Sequence, residues 1–463
     1  MAGPPTLPQD FLFGVATADH QCEAHDPRWE DSWDFFEREQ KVPSRGRACD
    51  FWTRYPEDVK LAAGLGCKMF RFSVAWARLE PRPGEFDEAV LDHYEEMVDL
   101  IRAEGMEPML TLHHYVWPQH LEEQGGMLSA EFPHRFAEYA DVLARRLKGK
   151  VKWWVTFNEP SELPFGYLRP WWQHDFRMPP GLSHSATPTE QMEAVATLIR
   201  NLFLANARAR HKIREHSHGA LVGANPLLLG LPAWVQHLID WRASKINSLD
   251  DLHTHGRRLS RRSLAKHSLS VLFGEVPRAL SLIPTLLTAN WWHLGMEGKL
   301  PHFLCPVSAV GQQDFVGFDY YWGVPTMRLY QAPKLLEAAA GHFDRAPVWP
   351  RVLRHMIKGF SKQFPGQPIL VIENGCVEKA GGLDRGSYIA KHIREIQHAV
   401  EDGAPVSGYV CWSITSSREW GVPFQPGSDF GLYHIDLDTD PELKRVATPA
   451  AGRYREIISD RGA

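Results

Sequence analysis

The sequence predicts an α/β fold, a single closed barrel of eight parallel β/α units with extended loops after the strands. Three observations predict it. Eight short apolar runs alternate with amphipathic helical stretches. The runs show little polar alternation, as expected of strands packed on both faces. Polar and charged residues gather at the C-terminal ends of the runs, the face on which a β/α barrel builds its sites.

The runs are Phe11–Thr17, Met69–Trp76, Pro108–His114, Lys152–Glu159, Leu221–Leu227, Asp314–Tyr321, Pro368–Gly375 and Val406–Ser413. Gln21 lies just beyond the first and Arg71 within the second. His114 ends the third, Glu159 the fourth and Tyr321 the sixth, while Glu373 stands near the end of the seventh. Between the second and third runs, Val90, Leu91, Tyr94, Met97, Val98 and Ile101 recur with the helical period. Phe136, Tyr139, Ala140, Leu143 and Leu147 do the same between the third and fourth. All 463 residues read as one domain, a length that a barrel with insertions reaches. The stretch from about 228 to 313, broken by Pro232, Pro277 and Pro284, reads as an insertion carrying the fifth helix and part of the entrance to a site.

Composition narrows the function. The formal net charge is −5, with 44% hydrophobic and 23% charged residues, as in an ordinary globular protein. The one dense basic stretch, Arg257, Arg258, Arg261, Arg262 and Lys266, lacks the interleaved aromatics and breadth of a nucleic-acid footprint and reads as a solvated face. No apolar run approaches the ~20 residues of a membrane helix, and Pro284 interrupts the longest candidate, Leu280–Trp292. The six cysteines form no C-x-x-C pair, and Met1–Asp10 carries no signal-like pattern, so a cytoplasmic location with reduced thiols is expected. His253 and His255 form an isolated H-x-H without a third ligand at metal spacing, so no metal is expected. The 17 tryptophans suit sugar stacking but are more simply core residues.

The chemistry concentrates in two carboxylates. In WWVTFNEP (153–160) an apolar strand delivers Asn158 and Glu159, and Pro160 ends the ladder. In LVIENG (370–375) another strand delivers Glu373. A carboxylate at the end of an apolar strand is costly unless it is paired or used. One alone reads as a structural ion pair. Two on one barrel face are what glycoside hydrolysis requires, close together for retention of configuration and further apart for inversion.

These motifs, with FLFGVATADHQCEAHD, CDFWTRYPEDVKLAAGLG, FRFSVAWARLEP, DFVGFDYY and SDFGLYHID, resemble glycoside hydrolase family 1, the β-glucosidase family, over nearly the whole chain. The resemblance implies a retaining β-glycosidase for terminal β-D-glucosides, with galactosides and fucosides as further substrates, acting without a cofactor on a small-molecule β-glycoside. It implies Glu159 as acid/base and Glu373 as nucleophile. It implies Arg71 beside the nucleophile, Tyr321 bonded to it, and Asn158 on the sugar 2-hydroxyl. It assigns the glycone to Gln21, His114, Trp412, Glu419 and Trp420. A transglycosidase using the same residues and a silent glycan-binding protein are the alternatives. A sugar-phosphate specificity fits poorly, since Glu419 and Trp420 are followed by no Lys before Phe430. Oligomeric state stays open.

The sequence departs from the family pattern in places. Tyr115 replaces the Trp after His114 and is expected to stack in its stead. Asp319 replaces the Asn before Tyr320-Tyr321 and is expected to add negative charge that raises the pKa values of the catalytic pair. Ser416, Ser417 and Arg418 are expected to reshape the pocket rim. The apolar residues Leu227–Leu231, Trp234, Trp291 and Trp292 are expected to line a site for a hydrophobic aglycone.

Overall fold

A computed structural model describes residues 6–40, 42–164, 186–237, 246–254, 290–339 and 341–461. Nine parallel strands form its main sheet: β1 (Leu12–Ala16), β2 (Met69–Ser73), β3 (Glu107–His113), β4 (Trp153–Asn158), β5 (Leu221–Asn225), β6 (Leu227–Gly230), β7 (Val316–Gly323), β8 (Ile369–Asn374) and β9 (Val406–Cys411). Their order is β5-β4-β3-β2-β1-β9-β8-β7-β6. The two ends of that order are consecutive in the chain, which wraps the sheet into a nearly closed barrel.

Eight strands were expected and nine are present. The difference lies at Pro226, which splits the fifth run. Proline has no N–H for a ladder and interrupts regular pairing. Residues before it pair with β4 and residues after it with β7. The seam is bonded by Asp314 N to Val222 O at 2.7 Å and Asp319 N to Pro226 O at 3.0 Å. One expected strand thus serves two neighbours with two different segments.

The helices pack outside. α1 (Phe51–Leu65), α2 (Glu88–Ala103), α3 (Phe132–Arg146) and α4 (Pro188–His216) follow β1 to β4. α5 (Arg351–Gln363) and α6 (Arg385–Glu401) flank β8, and α7 (Pro449–Ser459) follows β9. Asp87 caps α2 by accepting from the amides of Ala89 and Val90, and Thr187 with Glu190 forms a capping box on α4. The six apolar residues read on α2 and the five read around α3 are all buried, so the helical period located the barrel-facing stripe.

Strand ends are also set by close approach. A Cβ on Gly375 would lie 2.0 Å from the carbonyl oxygen of Trp412. Only glycine lets the chain leaving β8 pass this close to the end of β9. That contact brings Glu373 and Trp412 to one rim.

Only part of the 228–313 stretch is described. The basic run from Arg257 to Lys266, Pro277, Pro284 and His255 lie outside the described residues. His253 sits 3.0 Å from Glu193, an ordinary surface pairing. The helix Trp291–Met296 is buried rather than lining an entrance. Trp292 stacks on Phe203 of α4 at 4.9 Å, and Trp291 meets the same ring edge-on at 5.5 Å. Among the described residues no helix is long and apolar enough to cross a membrane.

Candidate active site

The C-terminal ends of the strands converge on one polar cluster inside an apolar barrel. Arg71 enters from β2 and is fully buried. Its guanidinium reaches three strands. Nε donates to Thr111 Oγ1 on β3 at 2.9 Å, Nη2 to Asn158 Oδ1 on β4 at 2.6 Å, and Nη1 to Glu373 Oε1 on β8. Tyr321 on β7 donates its hydroxyl to the other oxygen of Glu373 at 2.7 Å. Both oxygens of Glu373 therefore face donors, one of them charged, as an acceptor-only carboxylate requires.

Glu159 stands differently. It follows β4 with a φ of 39°, a left-handed conformation uncommon for a residue with a side chain. Its amide donates to Asn225 O at 3.0 Å, which holds the turn. Tyr115, itself at φ 70°, donates its hydroxyl to Glu159 Oε2. Two adjacent residues in a sparsely populated backbone region, bonded to each other, mark a functional constraint. Burial, then the charge of Glu373, pushes the Glu159 carboxyl well above the usual carboxylate range, against the opposing pull of Tyr115 and Arg71.

Oxygens of Glu159, Asp319 and Glu373 lie within 4.8 Å of one another. At that distance two full charges repel by roughly 3 kcal/mol at an effective dielectric near 20. The two carboxyl groups are therefore placed differently: Glu373 is bonded to the Arg71 guanidinium, while Glu159 is pushed toward its protonated form. Among the described residues a second acidic group, His20, Asp34 and Glu37, also has metal-like spacing, but Arg45 binds Asp34 at 2.6 Å and both ring nitrogens of His20 already face carboxylates.

Around this centre the expected sugar-holding residues form a connected wall. Gln21 donates to Glu419 at 3.3 Å and keeps a buried Oε1 without a partner among the described residues. His114 lies between Trp412 and Trp420, with ring centres at 5.8 and 6.1 Å and planes within 20°. Burial, then the Arg71 charge, pushes the His114 imidazole well below its ordinary value, so it is neutral. Burial pushes the Glu419 carboxyl up to about 8. Free polar atoms, stacked rings and uncharged acids suit a hydroxyl-rich neutral ligand.

All eleven residues singled out from the sequence are therefore brought to one rim. Several expectations about them change. Tyr115 meets Trp420 edge-on at 5.1 Å, but its hydroxyl serves Glu159, so it is a hydrogen-bond donor to the acid and more than a stacking surface. Ser416 and Arg418 do not shape the rim. Ser416 is buried and accepts from Ile435 N at 2.9 Å, while Arg418 pairs with Asp438 at 2.6 Å. Ser417 alone of the three reaches the site, donating to Glu419 at 3.3 Å. Trp291 and Trp292 belong to the core.

Asn225, Glu162 and His20 were not read from the sequence as site residues. Asn225 donates to Asn158 Oδ1 at 2.7 Å and to Asp319 Oδ2. Its place at the end of the fifth run was the available signal. Glu162, one helical turn beyond Glu159, is pushed up to about 7 by burial. His20 lies flat on Trp420 at 5.5 Å. Burial would lower its pKa, but the Asp31 charge and the bonds to Asp31 and Glu37 carry it up to about 9. A charged imidazolium thus backs one wall of the pocket.

The profile of glycosyl hydrolase family 1 matches residues 4–230 and 330–463. The thermostable β-glucosidase B of Thermobispora bispora is 29% identical over 100% of this chain and 92% of its own length. β-Glucosidase 13 of Arabidopsis thaliana is 27% identical over 98% and 92%. The cyanidin 3-O-glucoside 7-O-glucosyltransferase (acyl-glucose) of Delphinium grandiflorum is 26% identical over 98% and 90%. Among solved structures, the β-glucosidase of Thermotoga maritima in complex with deoxynojirimycin superposes with a TM-score of 0.72 at 22% identity, covering 99% of this chain and 100% of that one, a likeness of fold. The chain belongs to glycosyl hydrolase family 1 and is a glycoside hydrolase.

Proposed function

We propose that the protein is a retaining β-glycosidase for terminal β-D-glucosides, with β-galactosides and β-fucosides as further substrates. The observation that carries this reading is the closeness of Glu159 and Glu373, one carboxyl oxygen of each lying within 4.8 Å of the other. Retaining enzymes hold their two carboxyl groups roughly 5–5.5 Å apart, and inverting ones need room for a water between them. Glu373, oriented by Arg71 and Tyr321, attacks the anomeric carbon, and Glu159 protonates the departing oxygen. Glu159 then takes the proton of the water that releases the sugar. The names of the T. bispora and A. thaliana relatives support the glucoside.

The aglycone is hydrophobic on this reading, though a different wall receives it. Trp322 at the end of β7 stacks on Phe343 at 6.1 Å, both partly buried. The segment Thr326–Gln331, which follows the C-terminal end of β7, exposes Met327 and Tyr330. A panel of aryl β-glycosides (gluco, galacto, fuco, manno, xylo) beside cellobiose tests the reading. Turnover of aryl glucoside well above cellobiose is expected. Turnover of no member refutes the assignment, and equal rates on cellobiose refute the apolar aglycone.

Transfer to an acceptor other than water is a second reading, favoured by the name of the D. grandiflorum relative. Product analysis with an alcohol acceptor separates the two.

Tyr115 contributes to the alkaline edge of activity through Glu159. Its hydroxyl favours the ionised form of Glu159, and the active form of Glu159 is protonated. Tyr115→Phe removes a bond that lowers the pKa, so the alkaline limb of kcat/KM moves to higher pH. Profiles of the two enzymes on one aryl glucoside check this, and a shift to lower pH contradicts the assignment of Glu159 as the acid.

A further inference from the structure

The third carboxyl of the cluster has no part in the double displacement. Asp319 lies on β7 directly opposite Glu373 in the register of the sheet, and it is fully buried. Asp319 Oδ2 accepts from Asn225, whose amide also donates to Asn158. Asn158 in turn accepts from Arg71, which binds Glu373. Asp319 is thus the far end of a chain of side chains, running through β5, β4 and β2, that fixes the nucleophile and its cation. Asp319 Oδ1 is buried and has no hydrogen-bond partner among the described residues.

Among the described residues, the charged and titratable groups facing Asp319 are Glu373 from β8, Glu159 after β4, Arg71 from β2 and Tyr321 from its own strand. Arg71 is the one cation in this set, and its bonds go to Glu373, Asn158 and Thr111. Three carboxyl groups therefore share a single positive charge that is already paired. A negative charge on Asp319 would have one amide donor, no ion pair and two acidic neighbours.

We propose that Asp319 works as a neutral acid, keeping its proton while the site is active, holding Asn158 and Arg71 in place through Asn225, and closing the alkaline side of the activity range when it ionises. It is a positioning residue, since its carboxyl is hydrogen-bonded to Asn225 and acts on Asn158 and Arg71 through it. The proposal reverses the sequence expectation that Asp319 adds negative charge to the catalytic pair. Burial, then the charges of Glu373 and Glu159, pushes its carboxyl well above the usual range, in agreement. The wild-type alkaline limb then reports the first proton lost from two acids, Glu159 and Asp319. Removing Asp319 leaves only the loss from Glu159, at higher pH.

The inference rests on the proposed roles of Glu159 and Glu373, and its test separates the two. Infrared spectra of wild type and Asp319→Asn at neutral pH, with and without [13C]aspartate, read the proton without turnover. The expected difference spectrum contains a protonated-carboxyl C=O band that shifts on labelling. In kcat/KM profiles, Asp319→Asn keeps more than a tenth of the plateau rate and its alkaline limb lies at higher pH. Asp319→Ala, without an acceptor for Asn225, falls further. A difference spectrum with carboxylate bands alone, or superposable alkaline limbs, overturns the proposal. If no variant and no wild type hydrolyses a glycoside, the mechanism fails, and the infrared band still decides the proton.

Discussion

Glu373→Gln is expected to lower kcat/KM on an aryl β-glucoside on the order of 10⁵-fold, because the covalent path loses its nucleophile while the rest of the site stays in place. Gln keeps the shape and an oxygen for Tyr321 to donate to, so the protein still folds. Glu373→Ala removes both. Arg71 is fully buried and both substitutions remove its counter-charge, but Gln still offers the guanidinium an acceptor oxygen and Ala leaves it with none at this position. Breaking a buried ion pair from one side costs about 3–5 kcal/mol. Thermal unfolding should therefore separate the two variants clearly, with the Ala form less stable, while both lose activity. Equal stability of the two would mean that Arg71 finds another partner. Residual activity within a hundredfold of wild type would remove Glu373 from the chemistry.

Glu159→Gln is expected to act through the leaving group. Proton donation contributes about 10²–10⁴-fold. A glucoside with a poor leaving group, such as an alkyl alcohol, should lose that much in kcat/KM. One with a good leaving group, such as dinitrophenolate, needs no proton and should lose far less. The part of the alkaline limb that Glu159 contributes should also disappear, leaving only the loss that follows ionisation of Asp319. Burial and the Glu373 charge hold the Glu159 proton in wild type, so activity is present below the raised pKa and falls as pH rises through it. Equal losses on both leaving groups would contradict the role. Measurement of kcat/KM across a leaving-group series at several pH values settles the point.

The parts legible in the sequence were those encoded locally. An apolar strand that ends in Asn-Glu-Pro or Glu-Asn-Gly places its own carboxylate, and the architecture then brings the strand ends together. The stripe on α2 was legible for the same reason. What escaped depended on partners distant in sequence. Asn225 matters because it meets Asn158 and Asp319, 67 and 94 residues away. The charge state of Asp319 follows from how many cations reach it, which no motif states. Trp291 and Trp292 looked like entrance residues because they are apolar residues of the 228–313 insertion, yet Phe203 on α4 claims both rings. The division at Pro226 changed an eight-strand expectation to nine without moving any site residue, since both pieces keep the direction of one strand.

The central claim is the division of labour between Glu373 and Glu159, and azide rescue tests it most directly. With Glu373→Ala, azide fills the space of the lost carboxylate and attacks from the nucleophile's face while Glu159 still protonates the leaving group. The product expected is the inverted α-glucosyl azide. With Glu159→Ala, the glycosyl-enzyme still forms on Glu373, and azide displaces it from the opposite face to give the β-glucosyl azide. Anomeric assignment of the two products by NMR reads the answer. An α-azide from Glu373→Ala and a β-azide from Glu159→Ala is the predicted pair, and the exchanged pair, or a β-azide from Glu373→Ala, would contradict the assignment.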